Sequence, residues 1–339
     1  MLFEELIMPV YDIHRLSHVA VNVSNIEKAR AFYVDILGFV EVEKSGGMLY
    51  LKGVEEGQHH SLVLREANQP GLSYVGFRVR SPDDLDKAKE YYESSRCKMF
   101  KFRERGIGDA LMIIDKFGIP MVLHYDIEYV GDLGLKFHMY RGAPPIRLHH
   151  VNLGLKLKDL DEGIRYYVED LGFILTEYFL GPEGSKQIAW LSTRYTHSSH
   201  EVAIAKAEHA AFHHFAYYVY EPRDLAKIAD LLAALGMWDS IERGPGRHGA
   251  TRGFYLYLRD PDGNRVELYQ GDYLILDPDK WKPIEWKYEQ ARYRSDFWGR
   301  PAPERWRETK QVVPPSCPPP RPKGARLLVV NPNRDALGL

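Results

Sequence analysis

The chain of 339 residues has only two cysteines, Cys97 and Cys317. That excludes a disulfide framework and points to a reducing compartment, so a cytoplasmic setting is expected. Charge of one sign is missing too. Lys and Arg number 45 against 47 Asp and Glu, for a formal net charge of −2. Such a balance gives no ground for nucleic acid or a membrane surface as the main partner. Long apolar runs are absent as well: Leu225 to Leu235 is broken by charge, and no segment reads as membrane-spanning. The opening MLFEELIMPVYD carries acid where a signal peptide carries base, so no leader is expected. What remains, 45% hydrophobic and 27% charged residues, is the composition of a packed globular protein, and the length fits roughly two domains.

Histidine is unevenly spread. Nine of the fourteen lie between His138 and His248, which raises the expectation of a metal or acid–base site there. An internal repeat gives this cluster a frame. FYVDILGF (32–39) and YYVEDLGF (166–173) agree at five of eight positions. Each follows a strand-like run holding a histidine, LSHVAVNV from Leu16 and LHHVNLGL from Leu148. His18 lies 20 residues before Gly38 and His150 lies 22 before Gly172, so the copies are in frame apart from a two-residue insertion. Both helices are expected to end at Leu-Gly-Phe, with glycine in the left-handed position after the last turn.

Two fainter copies begin at LSYVGFRV (Leu72) and FHHFAYYV (Phe212), with helices opening at Pro82 and Pro222 and short β-branched and aromatic runs after them. The reading is an α+β chain of four β-α-β-β-β modules, near 16–66, 72–126, 147–206 and 212–270. Paired, they make an N-terminal domain (16–141) and a C-terminal domain (147–273), after an N-terminal extension (1–15) and with GAPPIR (142–147) as linker. Residues 274–312 hold Trp281, Trp286, Trp298 and Trp306 and are expected to pack on the domains, and 313–339 is a Pro-rich tail.

Aligned on the repeat, His18, Tyr74, His150 and His214 share one first-strand position. GNRVELY from Gly263 aligns with GIPMVLHY from Gly118, which sets Glu267 opposite Val122. The C-terminal half thus offers His150, His214 and Glu267. The N-terminal half offers His18, Tyr74 and Val122, which cannot hold a divalent cation, so that domain is expected to be without metal. Adjacent strand residues face opposite ways, so each His-His pair supplies one ligand. The frame selects His150 over His149 and His214 over His213, leaving His149 and His213 to face outward or pack elsewhere. Two histidines and one carboxylate on one face match the facial triad of non-haem Fe(II) oxygenases, with three positions of the metal left open. A chelating catechol would take two of them and O2 the third.

LHHVNLG, HHFAYYV, IERGPGRHG and FYLYLRDPDGNRVELYQGDY, in this order and spacing, resemble the type I extradiol ring-cleaving catechol dioxygenases of the vicinal oxygen chelate superfamily, and within them the homoprotocatechuate 2,3-dioxygenase branch. The resemblance covers about residues 14–300. It implies a two-domain vicinal oxygen chelate fold, a homotetramer, and Fe(II), with Mn(II) able to replace it. The implied reaction opens a catechol with O2 to a semialdehyde. Residue by residue, it implies His150, His214 and Glu267 as metal ligands and His200 as the acid–base histidine. Tyr257 hydrogen-bonds the substrate, although Tyr255 shares its face by alternation and pattern alone does not choose between them. His248 becomes a donor to a substrate oxygen, Asn152 a pocket residue and Trp190 a pocket wall. Arg243 and an arginine of ARYRSDFWG lie near an acidic side chain, a task that suits the planar guanidinium fork. That segment departs from the family's consecutive arginines; Arg292 is the expected partner and Arg294 the alternative. The expected substrate is 3,4-dihydroxyphenylacetate. The alternatives are a non-acidic catechol or, outside enzymes, a metal-free binding protein of the same fold.

Overall fold

In the computed structural model, which describes residues 9–95 and 97–315, each first-strand string of the repeat forms a strand. The N-terminal half contains β1 (Ile13–Val23), β2 (Val40–Ser45), β3 (Met48–Lys52), β4 (Leu62–Glu66), β5 (Gly71–Val79), β6 (Lys98–Phe102), β7 (Ala110–Ile114) and β8 (Pro120–His124). The C-terminal half contains β9 (Arg147–Lys156), β10 (Ile174–Leu180), β11 (Lys186–Ser192), β12 (Val202–Ala207), β13 (Ala211–Tyr218), β14 (Ile241–Arg247), β15 (Phe254–Arg259) and β16 (Arg265–Gln270). The two sheets follow one path: β2-β3-β4-β1-β5-β8-β7-β6 in the first and β10-β11-β12-β9-β13-β16-β15-β14 in the second. β17 (Ile284–Trp286) extends the edge at β10, and β18 (Lys310–Gln311) pairs with β13. Most of the Pro-rich tail, 316–339, lies outside the described residues.

The helices show why the repeat is most visible at its tyrosines. α1 (Ile26–Arg30) runs into a π-helical turn over Ala31–Ile36, and its counterpart Leu160–Arg165 into one over Tyr166–Asp170. The five-residue hydrogen bonds, Leu37 N–H to Phe32 O at 3.0 Å and Leu171 N–H to Tyr166 O at 3.2 Å, mark both as wide turns. The expected α-helical ending is therefore a π-turn closed by a left-handed glycine, Gly38 at φ 85° and Gly172 at φ 78°. At Gly38 a Cβ would also meet Arg141 O at 2.5 Å. The two-residue insertion lies between first strand and helix, because the caps are Asn25 in one copy and Asp159 in the other. Pro82 and Pro222 open the longer helices, Pro82–Ser94 and Pro222–Ala234, each at the first turn where the missing N–H costs nothing.

Apolar side chains of both halves merge into one buried core. Phe39 meets Tyr217 edge-on at 4.6 Å, Phe77 meets Phe173 at 5.9 Å, and the hydroxyls of Tyr92 and Tyr166 lie 2.7 Å apart. Buried Glu201 accepts from Leu16 N–H at 2.8 Å and Thr193 N–H at 3.0 Å, joining β1 to the second sheet.

Register confirms the repeat frame independently of residue type. Ala20 pairs with Tyr74 where Asn152 pairs with His214, and His18 pairs with Gly76 where His150 pairs with Ala216. Val122 also pairs with Gly76, and Glu267 with Ala216. Each first strand carries a bulge at the same place. The extra residue is Ser17 in β1, Ser73 in β5, His149 in β9 and His213 in β13. A bulge re-aims side chains, so plain alternation fails at these four residues.

Candidate metal centre

Three strands bring His150, His214 and Glu267 together. His150 on β9 and Glu267 on β16 flank Ala216 on β13 from either side, and His214 stands two residues before it on the same face. The small methyl of Ala216 leaves the space above it open for the flanking side chains. His150 Nε2 and His214 Nε2 lie 2.9 and 3.1 Å from Glu267 Oε2, and 3.1 Å from each other. All three residues are buried, and neither oxygen of Glu267 has a hydrogen-bond partner. An ionised carboxylate so placed costs several kcal/mol of lost hydration, which neutral imidazoles do not repay. The donor set fits a divalent cation. Bonds of about 2.1 Å put adjacent octahedral ligands about 3.0 Å apart, the spacing of this triangle.

The protonation states agree. Burial holds His150 below the ordinary histidine range and takes His214 down to about 4, despite the opposing pull of Glu267. Burial raises Glu267, but the surrounding histidines, His150 foremost, outweigh it and hold the carboxyl well below its usual range. Low-lying histidines and a low-lying carboxyl are the directions that suit a cation's ligands, which bind through an imidazole lone pair and an ionised carboxylate.

His149 and His213 do not face away, as alternation predicts. His149 Nδ1 lies 2.7 Å from His150 Nδ1, and His213 Nδ1 lies 2.6 Å from His214 Nδ1. His213 Nε2–H donates to the Trp306 carbonyl at 3.1 Å, so its Nδ1 is the acceptor and His214 Nδ1 carries the proton. His149 Nε2–H donates to the Asp272 carboxylate at 3.1 Å, which sets the His149–His150 pair the same way. Each doublet therefore presents one bare Nε2 lone pair to Glu267. The bulges place both rings of a doublet on one side of the strand.

A cavity of about 160 Å³ opens beside the triad. Asn152, Trp190, His200, Arg243, His248 and Tyr257 all line it, together with the three candidate ligands. The His200 ring lies 4.1 Å from that of His150, with Ser199 Oγ 2.8 Å from its Nδ1. Burial, then His150 and His149, push His200 well below the histidine range. His248 Nδ1–H donates to Ser295 O at 2.6 Å, so its Nε2 accepts from the Tyr257 hydroxyl at 2.9 Å. The choice between tyrosines is resolved by position. Tyr257 faces the cavity, whereas Tyr255 stacks on His248 at 4.1 Å and donates to Asp296 Oδ1 at 2.6 Å.

The arginines divide differently from the sequence expectation. Arg292 is exposed and absent from the cavity wall; Arg294 lines it. The two sit on the short helix Ala291–Ser295, where a spacing of two turns side chains toward opposite faces. Arg294 lies 4.5 Å over Phe179 and 5.5 Å over Trp190, its Nε is buried without a partner, and burial followed by Arg243 lowers it to about 10. Arg243 is already engaged, by Ser295 Oγ at 2.8 Å and by the Asp296 carboxylate.

Sequence reasoning missed Trp306, Thr251 and Ser295, which also line the cavity. Trp306 packs edge-on against Tyr257 at 4.5 Å and lies under Arg243 at 4.4 Å and Arg265 at 4.5 Å. Buried Arg265 pairs with both oxygens of Glu242, at 2.6 and 3.0 Å, and donates to Trp306 O at 3.3 Å. The tryptophan content of this segment was the available signal. No helix of the described residues is long and apolar enough to cross a membrane.

Comparison with known proteins agrees with this architecture. Residues 15–122 and 147–268 match the family model described as Glyoxalase/Bleomycin resistance protein/Dioxygenase superfamily. A manganese-dependent 2,3-dihydroxybiphenyl 1,2-dioxygenase of Geobacillus genomosp. 3 is 32% identical over 295 residues, covering 83% of this chain and 92% of the relative. A metapyrocatechase of Geobacillus stearothermophilus is 30% identical over 329 residues, covering 91% and 98%. Among solved structures, the anaerobic substrate complex of homoprotocatechuate 2,3-dioxygenase from Brevibacterium fuscum with 3,4-dihydroxyphenylacetate superposes with a TM-score of 0.84 at 35% identity, covering 90% of this chain and 95% of that one.

Proposed function

We propose that this chain, which belongs to the Glyoxalase/Bleomycin resistance protein/Dioxygenase superfamily and is an extradiol catechol dioxygenase, opens the ring of a catechol with an acidic side chain, 3,4-dihydroxyphenylacetate. The observation that carries the substrate class is Arg294, a half-buried arginine on the cavity wall whose buried Nε lacks a partner. The volume supports a single ring: about 160 Å³ is close to the roughly 150 Å³ cavity that accepts benzene.

His150, His214 and Glu267 would hold the metal, Fe(II) in this reading with Mn(II) the alternative, and the ion would supply Lewis acidity toward the catechol oxygens and redox activation of O2. The remaining work falls to side chains. His248, held at Nδ1 by Ser295 O and turned with Nε2 toward the Tyr257 hydroxyl, takes a catechol proton at Nε2 and then donates it back to that substrate oxygen. Tyr257 is the hydroxyl donor beside it. His200, kept neutral by burial, receives and returns a proton at Nε2 on the other flank of the site. Asn152 and Trp190 shape the pocket wall. Arg243 anchors the 291–296 segment through Ser295 and Asp296, which leaves Arg294 to grip the carboxylate in place of Arg292. A cytoplasmic homotetramer with domains at 16–141 and 147–273 and a packed segment at 274–312 belongs to the same reading, and sedimentation of the purified protein checks its size.

A charge-assisted hydrogen bond is worth about 1.5–3 kcal/mol, or roughly 10- to 150-fold in kcat/KM. Arg294→Leu should lose that factor for 3,4-dihydroxyphenylacetate and almost none for 4-methylcatechol, while Arg292→Leu leaves the ratio unchanged. Equal losses for both substrates, or a wild-type preference for 4-methylcatechol, would transfer the assignment to a non-acidic catechol.

A further inference from the structure

The N-terminal half brings together a second set of ligating groups, His18 at the frame position of His150 and two residues, His60 and Glu104, from outside the first- and last-strand positions compared above. His18 on β1, His60 just before β4 and Glu104 just after β6 converge, with their ligating atoms all within 4.8 Å of one another. The side chains of all three are at most 2% exposed. His18 Nε2 and His60 Nε2 each lie 3.8 Å from Glu104 Oε2, and neither nitrogen has a hydrogen-bond partner.

The wiring around these atoms fixes which protons they carry. Glu43 is engaged by Arg105 Nε at 2.9 and 3.2 Å and accepts from His59 Nε2–H at 3.2 Å. His59 Nδ1 is therefore the acceptor for His60 Nδ1–H at 3.0 Å, and His60 Nε2 is left as a bare lone pair. On the other side, His124 Nδ1–H donates to Asp126 O at 3.1 Å, so its Nε2 accepts from Ser17 Oγ–H at 2.9 Å. Ser17 Oγ in turn accepts from His18 Nδ1–H at 3.3 Å, leaving His18 Nε2 bare. The His59–His60 doublet repeats the device of His149–His150. Ser17, the bulge residue of β1, does for His18 what the bulge residue His149 does for His150.

Two lone pairs and a carboxylate oxygen thus face one another in a buried space. A proton on Glu104 does not bridge either gap, because 3.8 Å exceeds hydrogen-bond reach. Gly76 makes room for the arrangement: a Cβ there would meet the His18 ring at 2.1 Å. Tyr74, which replaces the His214 ligand in this half, donates its hydroxyl to Glu104. We infer that His18, His60 and Glu104 form a second divalent-cation site, a three-ligand set of the kind that takes zinc with water as the fourth ligand. Tetrahedral ligands at about 2.1 Å stand about 3.4 Å apart, so the two edges from the imidazoles to Glu104 Oε2, 3.8 Å each, close by a few tenths of an ångström on binding.

The site is independent of the catalytic reading, and so is its test. Full-length wild type, Glu267→Gln, Glu104→Gln and the double variant are stripped with chelator, loaded with zinc, dialysed and analysed for metal. The expected content is about two ions per chain in wild type, about one in each single variant and about none in the double. Cobalt in place of zinc in Glu267→Gln should give the visible absorption of a four-coordinate ion. His60→Gln serves for the same comparison if Glu104→Gln does not fold. Zinc bound by wild type but not by Glu267→Gln, or retained in full by the double variant, overturns the inference.

Discussion

Replacing His149 by phenylalanine removes no metal ligand, yet it should weaken the metal centre. The phenyl ring retains the stacking that His149 makes on Tyr269 at 4.6 Å, so packing is largely preserved. What disappears is the acceptor for His150 Nδ1–H, now 2.7 Å away in the buried site. A buried donor left unsatisfied costs about 1–3 kcal/mol. Part of that is avoided if the imidazole turns or changes tautomer, but either response withdraws the Nε2 lone pair from Glu267. Orienting partners of metal-bound histidines are typically worth about 10- to 100-fold in affinity, which agrees with the hydrogen-bond figure. Chelator competition should therefore show a 10- to 100-fold weaker metal complex for His149→Phe, against near-complete loss for His150→Ala. Asp272→Leu acts through His149, so the His149→Phe/Asp272→Leu pair should be far from additive. Glutamine at 149 can offer an amide oxygen and should recover part of the loss. Wild-type affinity in His149→Phe, with circular dichroism and Tm unchanged, would refute the claim that the doublet sets the tautomer.

Two further outcomes follow from the same geometry. His200→Ala should retain its metal and slow turnover by roughly 10²–10⁴, measured at saturating O2 with metal content determined in parallel; full turnover removes His200 from proton transfer. Burial raises Glu242, but Arg265 and Arg259 outweigh it and hold it below the usual carboxylate range, so its stabilisation is complete above the unfolded value of about 4.3 and fades as pH falls through the lower folded value. Glu242→Gln leaves buried Arg265 unpaired and should cost about 3–5 kcal/mol near neutral pH, with thermal melts converging on wild type in acid; a gap that does not change with pH would mean the pair is not the cause.

The sequence carried the module count, the strand frame and the meeting of His150, His214 and Glu267 because each depends on spacing, and spacing survives duplication. Identity at the 32–39 and 166–173 strings made the frame visible, and the register of His150 with Ala216 and His18 with Gly76 repeats it in three dimensions. The roles of His149 and His213 were illegible for a specific reason. A strict two-residue period turns them away, and nothing in LHHVNLG or FHHFAYYV announces a bulge. The choice between Arg292 and Arg294 depended on the phase of a five-residue helix far from the repeat. Glu104 and His60 went unseen because the frame was followed only through first and last strands, whereas His60 stands two residues before β4 as His200 stands two before β12.

Trp306 gives the site an order of assembly. Its carbonyl is the last acceptor in the His213–His214 relay, and its indole closes the wall beside Tyr257, 39 residues after Glu267. At about 5–20 residues per second, a ribosome needs roughly 2–8 s to make that interval. For those seconds all three ligands have been made but the covering segment has not. Until residues 304–311 join the sheet, His213 lacks the carbonyl that fixes its proton at Nε2, so the orientation of the His214 lone pair is completed last.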